Sequence, residues 1–120
     1  MLAQRNRLRK ASDFALASKG MRVSGENFLL YVATPSGSEH AGAPVKVGLI
    51  VGKNVGGSVI RHRVSRQIRH AIAPHLDQFP DGTLLLFRAH AGAAKAGPSV
   101  AAEISALVAK YRSRPSSVTK

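Results

Sequence analysis

Apolar residues fall into three short runs separated by glycine, serine and proline. Asn27–Ala33 (NFLLYVA), Val45–Val51 (VKVGLIV) and Thr83–Arg88 (TLLLFR) are rich in β-branched, leucine and aromatic residues and predict strands. Met21–Gly25 extends or precedes the first. Three other stretches follow helical spacing. Ser12, Phe14–Ser18 and Gly20 give a short helix with a polar start and a glycine stop. Ser58 is positioned to cap a helix running to about Ala73, where Pro74 ends it. Ser99 opens a last helix with Val100, Ile104, Leu107, Val108 and Tyr111 on its apolar face. The order helix, strands, helix, strand, helix predicts α+β or α/β.

Alternation assigns faces within the strands. Phe28, Leu30 and Val32 share one side of the first run, with Leu29, Tyr31 and Ala33 on the other. In the second run Val45, Val47, Leu49 and Val51 oppose Lys46, Gly48, Ile50 and Gly52, which leaves a shallow glycine-lined surface. Phe28 and Phe87 read as core. Tyr31 beside such a trough reads equally as core or as a platform on which an unpaired base stacks.

The Ser58–Ala73 helix changes the picture from fold to partner. At about 100° per residue, Ile60, Val64, Ile68, Ala71 and Ile72 form one packing face, while Arg61, Arg63, Arg66 and Arg69 spread over the other. Solvated helix faces mix acids with bases, and this one has no acid. Guanidinium forks match phosphate oxygens, which favours a nucleic-acid backbone over a merely solvated face. The whole chain agrees: 18 Lys+Arg against 6 Asp+Glu in 120 residues give a formal charge of +12, and a folded cation of this size seeks a polyanion. Between Glu39 and Asp77 there is no acid. A second basic district, Arg5, Arg7, Arg9 and Lys10, lies in Met1–Lys10, which reads as a loose arm. Ser113–Lys120 lacks apolar periodicity, contains Pro115 and reads as a disordered tail. The intervening chain is one domain.

Several chemistries drop out. Cysteine is absent, which excludes disulfides, thiolate metal sites and a cysteine nucleophile. Asp13, Glu26, Glu39, Asp77, Asp81 and Glu103 are scattered, with no pair spaced for two-carboxylate work. His62, His70 and His75 lack carboxylate or thiolate neighbours, so no protein metal site and no protein catalytic residue is expected. The glycine-rich Gly48–Ser58 turn lacks GxxxxGK[ST] and GxGxxG, and its glycines read as geometric. No second helix sits a short turn from the basic helix, so no DNA partner is expected. No apolar run approaches the roughly 20 residues that span a bilayer, and no signal core follows the basic start. The expected location is the cytoplasm, with no membrane partner.

At this level of detail the residues resemble a family. Arg61-His62-Arg63-Val64, preceded by Lys53-x-Val55-Gly56-x-Ser58-Val59 and followed by Arg66-x-Ile68-Arg69, is similar to the signature of the bacterial ribonuclease P protein subunit. Arg5-Asn6-Arg7-Leu8-Arg9 with Asp13-Phe14, Phe28-x-x-Tyr31, Val47-Gly48-Leu49 and Arg88 fall in the family's order. The resemblance covers most of Arg5–Arg112. It implies an αβββαβα single-domain sandwich (residues 1–112) with a central four-stranded sheet and a left-handed βαβ crossover through the basic helix.

It also implies a role in a ribonucleoprotein endoribonuclease. The subunit would bind the catalytic RNA through Lys53, Arg61, His62, Arg63, Arg66 and Arg69, with a basic arm at Arg5, Arg7 and Arg9. A leader-binding cleft at Phe14, Tyr31 and Arg88 would hold the 5′ leader of precursor tRNA. RNA and Mg²⁺, bound mainly through that RNA, would perform the 5′ maturation. The chain departs from the family's usual residues at His62 (Asn), Ser65 (Lys), Asn54 (Lys), Gly57 (Asn) and Ser18 (an aromatic). The rival reading is a structural RNA-binding protein such as a small ribosomal protein, which charge, size and element order fit equally.

Overall fold

The computed structural model describes residues 4–34 and 42–113. Its helices are α1 (Ala11–Ser18), α2 (Ser58–Ile72) and α3 (Ser99–Arg112), and its strands are β1 (Met21–Ser24), β2 (Phe28–Ala33), β3 (Lys46–Ile50) and β4 (Leu84–Ala89). All four strands join one sheet in the order β1-β2-β4-β3. β1 and β4 run antiparallel to β2, whereas β3 and β4 are parallel neighbours joined through α2. Met21–Ser24 is therefore a strand of its own, turned back on β2 by a bond from Gly25 N–H to the Phe28 carbonyl at 2.9 Å.

The register fixes two unlike faces. Val23, Phe28, Leu30, Val32, Val47, Leu85 and Phe87 build the main core with Val64, Ile68 and Ile72 of α2 and Val100, Ile104, Leu107 and Val108 of α3. Phe28 and Phe87 are completely buried there. The other face carries a smaller cluster, Leu8, Ala17, Leu84 and Leu86, against which Phe14, Tyr31 and Ala33 pack. One short helix, α1, covers only part of that face.

Three local features differ from the sequence expectations. Ser58 does not cap α2: the N-cap is Gly57, with no side-chain cap. Glycine is tolerated there because it takes the extended backbone an N-cap needs and costs little relative to serine. Of the two glycines in this turn only Gly56, at φ 155°, needs glycine's freedom. The basic arm is not loose over residues 4–10. Gln4–Asn6 forms a 3₁₀ turn, Arg7 bridges in parallel to Val47, and Leu8 N–H donates to the Val47 carbonyl at 2.9 Å. Leu8 is buried and Asn6 Nδ2 donates to the Val45 carbonyl at 2.8 Å, so one apolar residue among the arginines docks the segment on the sheet edge. Ser113 closes α3 by donating its N–H to the Ala109 carbonyl rather than starting the tail, and the rest of that expected tail lies outside the described residues.

Candidate nucleic-acid interface

The basic side chains form one surface rather than two districts. On α2, Val64, Ile68 and Ile72 point inward, leaving His62, Arg63, Arg66 and His70 exposed and Arg61 and Arg69 half-buried. Pairing of Arg7 with β3 carries the arm's guanidinium to this helix, where Arg7, His62, Arg66, Arg69 and His70 line a pocket of about 160 Å³ with no acid in its wall. Burial first, and then the charge of Arg7, hold the Arg69 guanidinium below the usual arginine pKa. Arg7 Nε and Arg61 Nε are buried and find no hydrogen-bond partner among the described residues. Like charges crowded together with no acid in the pocket wall suit an external polyanion. Arg5, Arg9 and Lys53 are exposed, Lys53 in the turn before α2. Sequence reasoning missed the junction because pairing across 40 positions leaves no local trace.

Arg63 differs from its neighbours. Its Nη2 donates to the Ala94 carbonyl at 2.8 Å, tying α2 to the 3₁₀ turn Ala91–Lys95. This side chain braces the protein as well as extending its charge.

The second candidate surface is the half-covered sheet face. Tyr31 lies opposite Leu86, and Gly48 opposite the same Leu86 from the far side; Leu29, Arg88 and Ile50 form the next row. Tyr31 and Arg88 therefore share the α1 side of the sheet with Phe14. The expected open trough at Gly48 is corrected: a Cβ there would meet Leu8 Cδ2 and Phe14 Cε1, each at 2.7 Å, so the missing side chain seats the arm and α1. What remains uncovered is the row with exposed Arg88 and Ile50 and half-buried Leu29. Tyr31 is half-buried at its margin, between packing and exposure.

Five described acids lie apart, and no group of three or more His, Cys, Asp or Glu able to hold a metal occurs among the described residues. Glu103 is committed to structure: its carboxylate accepts from Asn27 N–H at 2.7 Å, Phe28 N–H at 3.0 Å and Asn27 Nδ2 at 2.9 Å, joining α3 to the β1–β2 turn. No helix among the described residues is long and apolar enough to cross a membrane.

Fold and surface together define a small α+β protein that gathers its cations along one helix and the adjoining sheet edge. The ribonuclease P family model matches residues 2–112. Ribonuclease P protein components of Mycobacterium sp. (strain KMS) and Acidothermus cellulolyticus are each 38% identical to it; the alignments cover 95% and 92% of this chain and 96% and 91% of those proteins. The chain belongs to the ribonuclease P protein family. The fold agrees with solved structures of RNase P proteins from Staphylococcus aureus (TM-score 0.75, 20% identity, 89% of this chain and 95% of that one) and Thermotoga maritima (TM-score 0.69, 18% identity, 88% and 97%).

Proposed function

We propose that residues 1–112 act as one RNA-binding domain, the protein subunit of a ribonuclease P ribonucleoprotein that matures tRNA 5′ ends. Lys53, Arg61, His62, Arg63, Arg66 and Arg69 bind the catalytic RNA together with Arg5, Arg7 and Arg9. Phe14, Tyr31 and Arg88 receive the 5′ leader of precursor tRNA. The observation that carries this reading is the acid-free meeting of Arg7 with the α2 arginines, whose charges have no counterion in the pocket wall. Phosphates supply that counterion, and each neutralised phosphate releases condensed cations.

The exposed row beside Tyr31 suits a single strand, because an aromatic face can stack a base while Arg88 meets the backbone. The separation of the acids supports placing bond cleavage on the RNA, with Mg²⁺ bound mainly through RNA phosphates. The protein then works by lowering the repulsion between two polyanions that metal ions must otherwise screen. By the family resemblance, the β3–α2–β4 crossover takes the left-handed sense. Cleavage of precursor tRNA by the cognate catalytic RNA, with and without this chain, tests the proposal. At low Mg²⁺ the protein should raise cleavage while cutting nothing alone. Specific 5′ maturation by RNA-free protein would overturn the assignment of chemistry to RNA.

A further inference from the structure

Behind the arginine face, α2 and the start of α3 line an open groove of about 560 Å³. One wall is polar, with Arg66, Gln67 and His70; the floor and far wall are small and apolar, with Ala71, Pro98 and Ala101. No acid lines it. Arg66 and His70, one helical turn apart, also line the pocket that holds Arg7, so they form the ridge between groove and basic face. The Arg63 bond to the Ala94 carbonyl anchors the turn that leads into the groove's far rim. Gln67 Oε1 is buried and has no hydrogen-bond partner among the described residues.

We propose that this groove receives one unpaired nucleotide of the RNA bound on the arginine face, its base over the Ala71–Pro98–Ala101 floor and its phosphate at the Arg66–His70 ridge. The inference rests on the proposed RNA-binding role. Continuity across the ridge allows a strand on the basic face to turn a single base inward, and a floor of small side chains leaves room for a planar ring. Guanidinium planes such as that of Arg66 also stack on bases. Gln67 lines the polar wall, and its side-chain oxygen has no hydrogen-bond partner among the described residues. A buried acceptor gains most from a donor, which a base amino or imino N–H or a ribose 2′-hydroxyl supplies.

The test uses the full chain and its cognate catalytic RNA. Ala101→Trp fills the groove from an exposed position, and Gln67→Met removes the acceptor at similar volume. Ala101→Trp should weaken binding roughly tenfold by expelling the base from the groove. Gln67→Met should weaken binding while leaving the denaturation midpoint unchanged or higher. The chain has no cysteine, so Ala101→Cys bearing a photo-cross-linker reports the occupant directly and should label a single unpaired nucleotide. Wild-type binding to both substituted chains, or cross-links only to duplex RNA or to a protein, would overturn the groove assignment and leave the arginine face standing. Failure of the wild-type chain to bind the RNA would overturn both.

Discussion

Phe14 on α1 fills the space that a side chain at Gly48 on β3 would occupy, its Cε1 lying 2.7 Å from where a Cβ would stand. The same glycine seats Leu8, so one absent side chain lets both the short helix and the basic arm close on the sheet. Gly48→Ala should therefore unseat both. We expect a loss of about 1–3 kcal/mol in chemical denaturation, the range for overpacking a tight site, together with weaker binding of leader-bearing precursor tRNA. A variant as stable as wild type would show that α1 does not need the glycine.

Tyr31 sits at the margin of the α1 cluster, beside the row that carries Arg88. Tyr31→Leu keeps apolar bulk and removes the stacking surface. Affinity for substrates with a 5′ leader should fall by about 1–3 kcal/mol per lost stack, with mature tRNA scarcely affected. Equal losses for both RNAs, or a loss of stability alone, would assign Tyr31 to packing.

Glu103 accepts three hydrogen bonds from Asn27 and Phe28, and substitution by alanine strands those donors. The expected cost is about 2–3 kcal/mol of folding stability, in line with bonds to a charged, partly buried group. RNA affinity of the folded fraction should be unchanged. A normal urea midpoint for Glu103→Ala would contradict the bracing role.

Arg69 illustrates a conflict between stability and binding. Burial, and then the Arg7 charge, lower its pKa, so folding disfavours its charged form. A base with a depressed folded pKa costs stability wherever it stays protonated, and arginine stays protonated throughout the working pH range. Arg69→Gln should raise the denaturation midpoint of the free chain at each such pH and lower affinity for the catalytic RNA. Added salt should likewise favour the free fold while weakening the complex. A less stable Arg69→Gln chain would contradict the crowding argument.

Much of this architecture is legible in local pattern. The runs around Phe28–Ala33, Lys46–Ile50 and Leu84–Ala89 and the 3.6-residue spacing of Val64, Ile68 and Ile72 specify strands and helix because burial, rather than a distant partner, decides them. What escaped depends on contacts between segments far apart in sequence. The arm docks because Leu8 finds Val47, Gly48 is filled because Phe14 reaches it, and Arg63 leaves the free comb because Ala94 offers a carbonyl. Ser58 resembled a cap by residue type, yet the chain enters the helix one residue earlier, at Gly57. The arginine residues of the candidate interface were visible by spacing. Their junction with Arg7 was not.

The most direct test of the central claim is the salt dependence of binding between this chain and the catalytic RNA, compared with that of Arg61→Gln/Arg66→Gln. Glutamine keeps length and helix propensity, and removing Arg61 also removes a buried Nε that lacks a partner among the described residues, so the fold should persist. If both arginines contact phosphates, affinity should fall and the slope of log K against log salt should shrink by about one to two units. Normal affinity with an unchanged slope would show a solvated helix face and contradict the account.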